Sequence, residues 1–233
     1  MILITRPEDE AKKLSLILDQ KQIANHRDPL ISFSILSKKE IHLTSNIFLI
    51  SSIQAIYSLQ KNNLFVNTDL ANGFFYVIGS RSSQLIKELG MKQVEDTFSD
   101  FNSFNSFLSK NNIKDQINYL CGDIITQEAK MAVESKKLNK TILYKTIAAN
   151  QFNNETIKLM KSGKIDSVML YSQYTSLIFQ QLLAKHEMEE KARDLKYYCL
   201  SSRIAQFMQK KGYNKCIVSG YPNQDSLVSS IIK

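Results

Sequence analysis

Tryptophan is absent from this chain of 233 residues, and glycine, proline and cysteine are scarce at seven, three and three. So few glycines leave little for phosphate-cradling loops, and neither G-x-G-x-x-G nor G-x-x-x-x-G-K-[ST] occurs, which argues against dinucleotide and P-loop nucleotide enzymes. Cys121, Cys199 and Cys216 are odd in number and lack C-x-x-C spacing. That excludes a disulfide framework and a zinc ribbon and fits a reducing compartment. His26, His42 and His186 are scattered, so there is no H-E-x-x-H, no metal cluster and no evident partner for a Ser or Cys nucleophile. No apolar run approaches the ~18 residues of a membrane helix. The start, Ile2-Leu3-Ile4 before Thr5-Arg6-Pro7-Glu8-Asp9-Glu10, carries no signal or transit pattern, which predicts a cytoplasmic protein. Arginine is scarce too, so the formal charge of +8 rests mostly on lysines scattered along the chain. A lysine-rich genome bias accounts for such a balance as readily as an anionic partner such as phosphate or a polycarboxylate does, and since nucleic-acid surfaces concentrate arginine and interleave aromatics, nucleic acid is the least favoured partner.

What is present is a globular composition, 43% hydrophobic and 22% charged, able to bury a sizeable core. Short apolar runs alternate with segments of helical period, each run passing through Ser, Asn, Asp or Gly into a helix, the pattern of βα units around a parallel sheet. Ile2 to Ile4 reads as a strand. Pro7 and three acids open a helix whose buried face is Ala11, Leu14, Ile17 and Leu18 and which ends near Gln20. Ile31, Phe33 and Ile35, alternating with Ser32 and Ser34, read as a half-buried strand or extended connector.

The chain also repeats itself. Tyr76-Val77-Ile78-Gly79-Ser80-Arg81-Ser82-Ser83-Gln84 recurs as Tyr198-Cys199-Leu200-Ser201-Ser202-Arg203-Ile204-Ala205-Gln206, and the helices that follow stop at Gly90 and Gly212. Upstream, Phe48-Leu49-Ile50-Ser51-Ser52 has its counterpart in Val168-Met169-Leu170-Tyr171-Ser172. Two similar α/β lobes follow. The second copy is the shorter, so residues 1–35 are expected to complete it: a discontinuous lobe of 1–35 with 149–233, and an inserted lobe of 36–148. Two extended crossings near Phe33 and Ile147 would form a hinge and open a ligand cleft.

In open parallel sheets ligands gather at the carboxyl ends of the strands, where helix N-termini present unpaired N–H groups. Ser52, Ser82 and Ser172 each stand where a strand passes into a helix, able to cap it or to bind an anion. Tyr144, in Thr141-Ile142-Leu143-Tyr144-Lys145-Thr146, leads into the second crossing. Its phenol stays protonated at neutral pH and can donate a proton to a leaving group.

These segments, with Leu3-Ile4-Thr5-Arg6-Pro7 and Pro29-Leu30-Ile31, resemble the uroporphyrinogen-III synthase family along the whole chain. Ser52-Ile53-Gln54-Ala55-Ile56 is similar to its Ser-x-x-Ala-Val turn, Val77-Ile78-Gly79 with Ser82 to its Val-Gly-x-x-Thr turn, and Leu143-Tyr144-Lys145-Thr146 to its Val-Tyr-x-Thr strand. Pro222 to Leu227 stands where the family has a Pro-rich helix entry. The sequence departs from the family at Ser201-Ser202-Arg203-Ile204-Ala205, where Gly-x-x-Thr-Ala is usual.

The resemblance implies an α/β fold of two flavodoxin-like halves joined by a two-stranded hinge, with no cofactor or metal. It implies cyclisation of hydroxymethylbilane, a linear tetrapyrrole with two carboxylates per ring, to uroporphyrinogen III with inversion of ring D. On that reading Tyr144 helps the terminal hydroxyl depart. Arg6, Ser52, Gly79, Arg81, Ser82, Ser172, Ser202 and Arg203 hold the substrate, with either Arg203 or the backbone of the helix N-terminus taking the place of the missing hydroxyl. A monomer is expected, with transient hand-over from hydroxymethylbilane synthase. The rival is a non-catalytic two-lobed ligand binder or sensor that keeps the fold.

Overall fold

The computed structural model describes residues 1–66, 68–90, 93–113 and 115–232. The strands are β1 (Ile2–Ile4), β2 (Asn25–Arg27), β3 (Ile31–Ile35), β4 (Ile47–Ile50), β5 (Phe74–Ile78), β6 (Val94–Phe98), β7 (Ile117–Gly122), β8 (Leu138–Ala148), β9 (Ser167–Leu170), β10 (Lys196–Cys199) and β11 (Cys216–Val218). They build two sheets among the described residues, ordered β11-β10-β9-β1-β2 and β3-β8-β7-β4-β5-β6. The chain divides into two compact units: Met1–Ser32 with Ile147–Lys233, and Phe33–Thr146.

In the first unit every paired strand is parallel, and helices cover both faces of the sheet, so its strands read as nearly continuous apolar runs. Alternation assigns the faces. Leu3, Val168, Leu170, Tyr197 and Cys199 enter one core with Phe152, Phe179 and Leu183. Ile2, Ile4, Met169 and Tyr198 enter the other, against Ala11, Leu14 and Leu18 of helix Glu8–Gln20 and Leu227 and Val228 of helix Gln224–Ile232. Helix Glu8–Gln20 carries Glu8, Asp9 and Glu10 in its first turn, on the positive end of the helix dipole. Ile17 is only half-buried.

The second unit is built likewise. Phe48, Ile50, Phe75, Val77 and Leu120 face one core, and Leu49, Tyr119 and Cys121 face the other with Phe98, Phe101 and Phe104. Strands β8, β7, β4, β5 and β6 are parallel. At the edge, Leu36 N–H donates to Leu143 O and Ala149 N–H donates to Leu30 O, so β3 runs antiparallel to β8, its neighbour in the sheet. Ile31–Ile35 alternates half-buried and exposed residues, as Ser32 and Ser34 predict.

The two sheets are permuted copies. Starting from β7, the second reads β8-β7-β4-β5-β6, which matches β2-β1-β9-β10-β11 of the first position by position. Both then have the flavodoxin order 2-1-3-4-5. The match pairs β4 with β9 and β5 with β10, the strands related by the sequence repeat. The first two strands of this order precede the repeat in one sheet and follow it in the other.

Candidate active site

At the carboxyl end of β4, Ser52 takes an extended backbone (φ −153°) and caps helix Ile53–Lys61, its Oγ accepting from Gln54 N at 3.2 Å. Its neighbour Ser51 shares a 2.8 Å hydrogen bond with the Tyr119 hydroxyl from β7. Tyr144, on β8, brings its phenol to the same place, beside the Ser52 side chain and the backbone of Gly122. Thus Tyr144 and Ser52, remote in sequence, form one site. The ring is 6% exposed and packs edge-on against Phe33 at 5.5 Å. Burial raises the phenol above its ordinary pKa of 10.0; the polar groups of Ser52 and Gly122 beside it pull the other way. Beside it, burial pushes the Cys121 thiol up to about 12, which keeps it uncharged and a weak nucleophile at neutral pH.

At the end of β5 the chain turns at Gly79, whose φ of +95° lies in the left-handed region, where a side chain is strained. Gly79 is itself the N-cap, without a side-chain bond, of helix Ser80–Glu88. Ser82 is therefore not a cap. It lies inside the first turn, 5% exposed, at the position matched by the core residue Ile204 of the other copy. Arg81 stands exposed on the same turn.

In the first unit, Ser172 follows β9 and caps helix Gln173–Lys185 as expected, accepting from Thr175 N at 3.0 Å and sharing a 2.8 Å bond with the Thr175 hydroxyl. Arg6, after β1, is committed to its surroundings. It forms an ion pair with Glu10, donates to Gln224 Oε1 at 2.6 Å, and lies over the Tyr171 ring at 4.2 Å from the centroid. Its side chain is 13% exposed. The arrangement ties helix Glu8–Gln20 to helix Gln224–Ile232. Burial pushes the Tyr171 phenol up to about 12 against the pull of Arg6. After β10, Ser201 caps helix Ser202–Gln209 with φ −150° and no side-chain bond, and Ser202 and Arg203 are exposed on the first turn. The departure from the family pattern therefore has a conformational counterpart. Where Gly79 uses a left-handed backbone, Ser201 is extended and needs no glycine.

Sequence reasoning missed Gly122, the Ser51–Tyr119 bond, and the Glu10, Gln224 and Tyr171 contacts of Arg6. A glycine closing the apolar run Ile117-Asn118-Tyr119-Leu120-Cys121 was the visible signal for the first; the others depend on pairings that no local pattern reveals. Among the described residues no three His, Cys, Asp or Glu side chains are grouped to hold a metal ion, and no helix is long and apolar enough to cross a membrane.

An α/β protein of two permuted flavodoxin-like halves, each with polar groups gathered at its strand ends, is the class this fold defines. The chain belongs to the uroporphyrinogen-III synthase family, whose HemD model matches residues 37–229. In fold it is similar to the uroporphyrinogen-III synthetase of Helicobacter pylori 26695, with TM-score 0.67, 12% identity, and 99% of this chain and 97% of that one covered. It is likewise similar to a mutant uroporphyrinogen III synthase of the extremely thermophilic bacterium Thermus thermophilus, with TM-score 0.65, 11% identity, and 99% and 95% covered. Among curated proteins no sequence matches. The family places the chain in tetrapyrrole synthesis.

Proposed function

We propose that this chain cyclises hydroxymethylbilane to uroporphyrinogen III, with loss of water and inversion of ring D. One observation carries the reading: a buried phenol, Tyr144, at the strand ends beside Ser52 and Gly122, in a chain of this family.

The Ser52 Oγ already accepts from Gln54 N, so its own proton can turn to the phenol oxygen. Gly122 N–H lies near the same oxygen, so both groups can donate to it and leave the phenol proton for transfer. Tyr144 can give this proton to the terminal hydroxyl of the bilane, which leaves as water. The same two donors stabilise the phenolate that remains. Loss of the hydroxyl leaves an azafulvene on ring A. The substituted carbon of ring D attacks it, and the spiro intermediate opens and recloses with ring D inverted. The phenolate regains a proton as the macrocycle aromatises its last pyrrole, so protons balance without a redox partner.

Unaided closure of the same substrate gives the uninverted isomer, so the protein must steer as well as accelerate. Strand-end donors serve this purpose by holding carboxylates, the candidates being the helix N-termini after Ser52, Gly79, Ser172 and Ser201, with the exposed Arg81, Ser202 and Arg203. Ser82, buried, contributes through its turn, and Arg6 through the Glu10–Gln224 tether. The net charge of +8 favours capture of a polyanion. A monomeric, cytoplasmic enzyme that receives its unstable substrate from hydroxymethylbilane synthase completes the reading.

Supplying the protein with hydroxymethylbilane and resolving the oxidised uroporphyrin isomers tests it. Type III in excess over the unassisted reaction is expected, and type I alone contradicts it. The loss of the glycine turn at Ser201 is the observation that favours the second reading, a ligand binder without turnover. That protein would retain the bilane and leave the isomer ratio unchanged.

A further inference from the structure

In a regular strand Leu143 and Tyr144 would face opposite sides of the sheet. Strand β7 pairs with β8 residue by residue as far as Cys121 with Ile142, then skips to Gly122 with Tyr144. Leu143 is thus the extra residue of a β-bulge, a device that re-aims a side chain. Its effect is visible in the packing. Leu143 and Tyr144, adjacent in sequence, enter the same apolar core with Phe48, Ile50 and Leu120, while Cys121 remains in the opposite one.

The bulge lays the phenol across Gly122. A Cβ at Gly122 would stand 2.5 Å from Tyr144 Cε2, 2.6 Å from Cζ and 3.0 Å from the hydroxyl oxygen, inside the contact distance of any carbon or oxygen. Gly122 is not among the residues of positive φ, so space, and no special backbone angle, requires glycine here. All three of the nearest atoms belong to Tyr144, so an added methyl group would be relieved by moving the phenol. The Gly122 backbone, meanwhile, lies close beside the phenol oxygen. One residue provides both the gap that admits the ring and the backbone against which its oxygen rests.

We infer that Gly122, with the Leu143 bulge, is the positioning residue that seats Tyr144 for proton transfer; the inference rests on the cyclisation reading above. Gly122→Ala should lower kcat by about 10²-fold through misplacement of the phenol, leave KM within about twofold, and raise the share of type I product. In a Tyr144→Phe background, where the proton is already gone, the same change should add little.

A second cycle tests the seat without turnover. Tyr144→Leu removes the ring tip, so Gly122→Ala should lower Tm in the wild-type background and leave it unchanged beside Tyr144→Leu. If Gly122→Ala alone fails to fold, a folded Gly122→Ala/Tyr144→Leu protein still supports the seat. Failure of that double variant to fold, or an equal loss of Tm in both backgrounds, overturns it. So does equal loss of kcat from Gly122→Ala with and without the Tyr144 hydroxyl. A wild-type protein without type III product would instead refute the cyclisation reading, while the stability cycle would still decide the seat.

Discussion

Tyr144 and Ser52 meet side by side at the carboxyl end of the second sheet, one from the bulged strand β8 and the other from the cap of helix Ile53–Lys61. A single hydroxyl can perform two tasks there: the Ser52 oxygen accepts from the helix, which leaves its proton available to the neighbouring phenol. Helix start and candidate proton donor adjoin the same side chain.

This coupling determines the pH dependence. A proton donor acts while protonated, so turnover falls as pH rises through the pKa of Tyr144. Burial has raised that pKa above 10.0, which places the alkaline limb above the ordinary tyrosine range. Ser52→Ala removes a neighbouring hydroxyl that lowers the pKa and should move the limb higher still, reduce kcat, and cost about 1 kcal/mol of stability through the lost cap. Ultraviolet difference titration of wild type against Tyr144→Phe, with pH–rate profiles, checks the direction.

The two equivalent turn positions should differ in their need for glycine. Gly79 sits at φ +95°, so Gly79→Ala is expected to destabilise by about 1 kcal/mol or more. Ser201, at φ −150°, has no need of glycine, and Ser201→Gly should cost about 1 kcal/mol or less through added freedom of the unfolded chain. Urea denaturation of both variants measures the contrast.

Asp28 is buried just past β2, its Oδ2 accepting from Asn153 N at 2.9 Å. Burial raises its pKa above 3.8, against the opposing pull of Thr156, Asn153 and His26. A carboxyl raised in the folded state holds its proton more tightly there than in the unfolded chain. Its contribution is therefore fully present below the unfolded value and is lost as pH rises through the folded one. Asp28→Asn keeps an acceptor oxygen and cannot ionise. It should be more stable than wild type at neutral pH, with the difference shrinking as pH falls through the raised folded pKa and gone below about pH 4, as thermal melts across that range will show.

Substrate capture by strand-end donors is electrostatic and should weaken with salt. KM for the bilane is expected to rise between low and about 0.5 M ionic strength, where screening acts within a few ångströms, while kcat changes little.

Much of this architecture is legible in the residues. The internal repeat identifies β4 with β9 and β5 with β10, and the shortness of the second copy points to residues at the N-terminus as its missing strands, because a parallel sheet needs both faces covered and its full set of strands. The caps Ser52 and Ser172 are legible from the strand-then-serine pattern. Ser82 departs from that pattern because serine in the first turn of a helix looks the same whether it caps or packs; the left-handed Gly79 has already taken the capping place. Gly122 and the bulge at Leu143 are invisible because a bulge is a property of two paired strands, and one strand's alternation does not record where its partner skips. The tether of Arg6 is hidden for a similar reason, since Gln224 arrives from the far end of the chain.

The most direct test compares the isomers that wild type and Tyr144→Phe release from hydroxymethylbilane under identical conditions. Wild type should give predominantly uroporphyrinogen III, and the variant, folded with an unchanged circular dichroism spectrum, should turn over about 10²-fold or more slowly and let type I accumulate. A variant as fast and as selective as wild type, or a wild type that yields type I alone, would contradict the account.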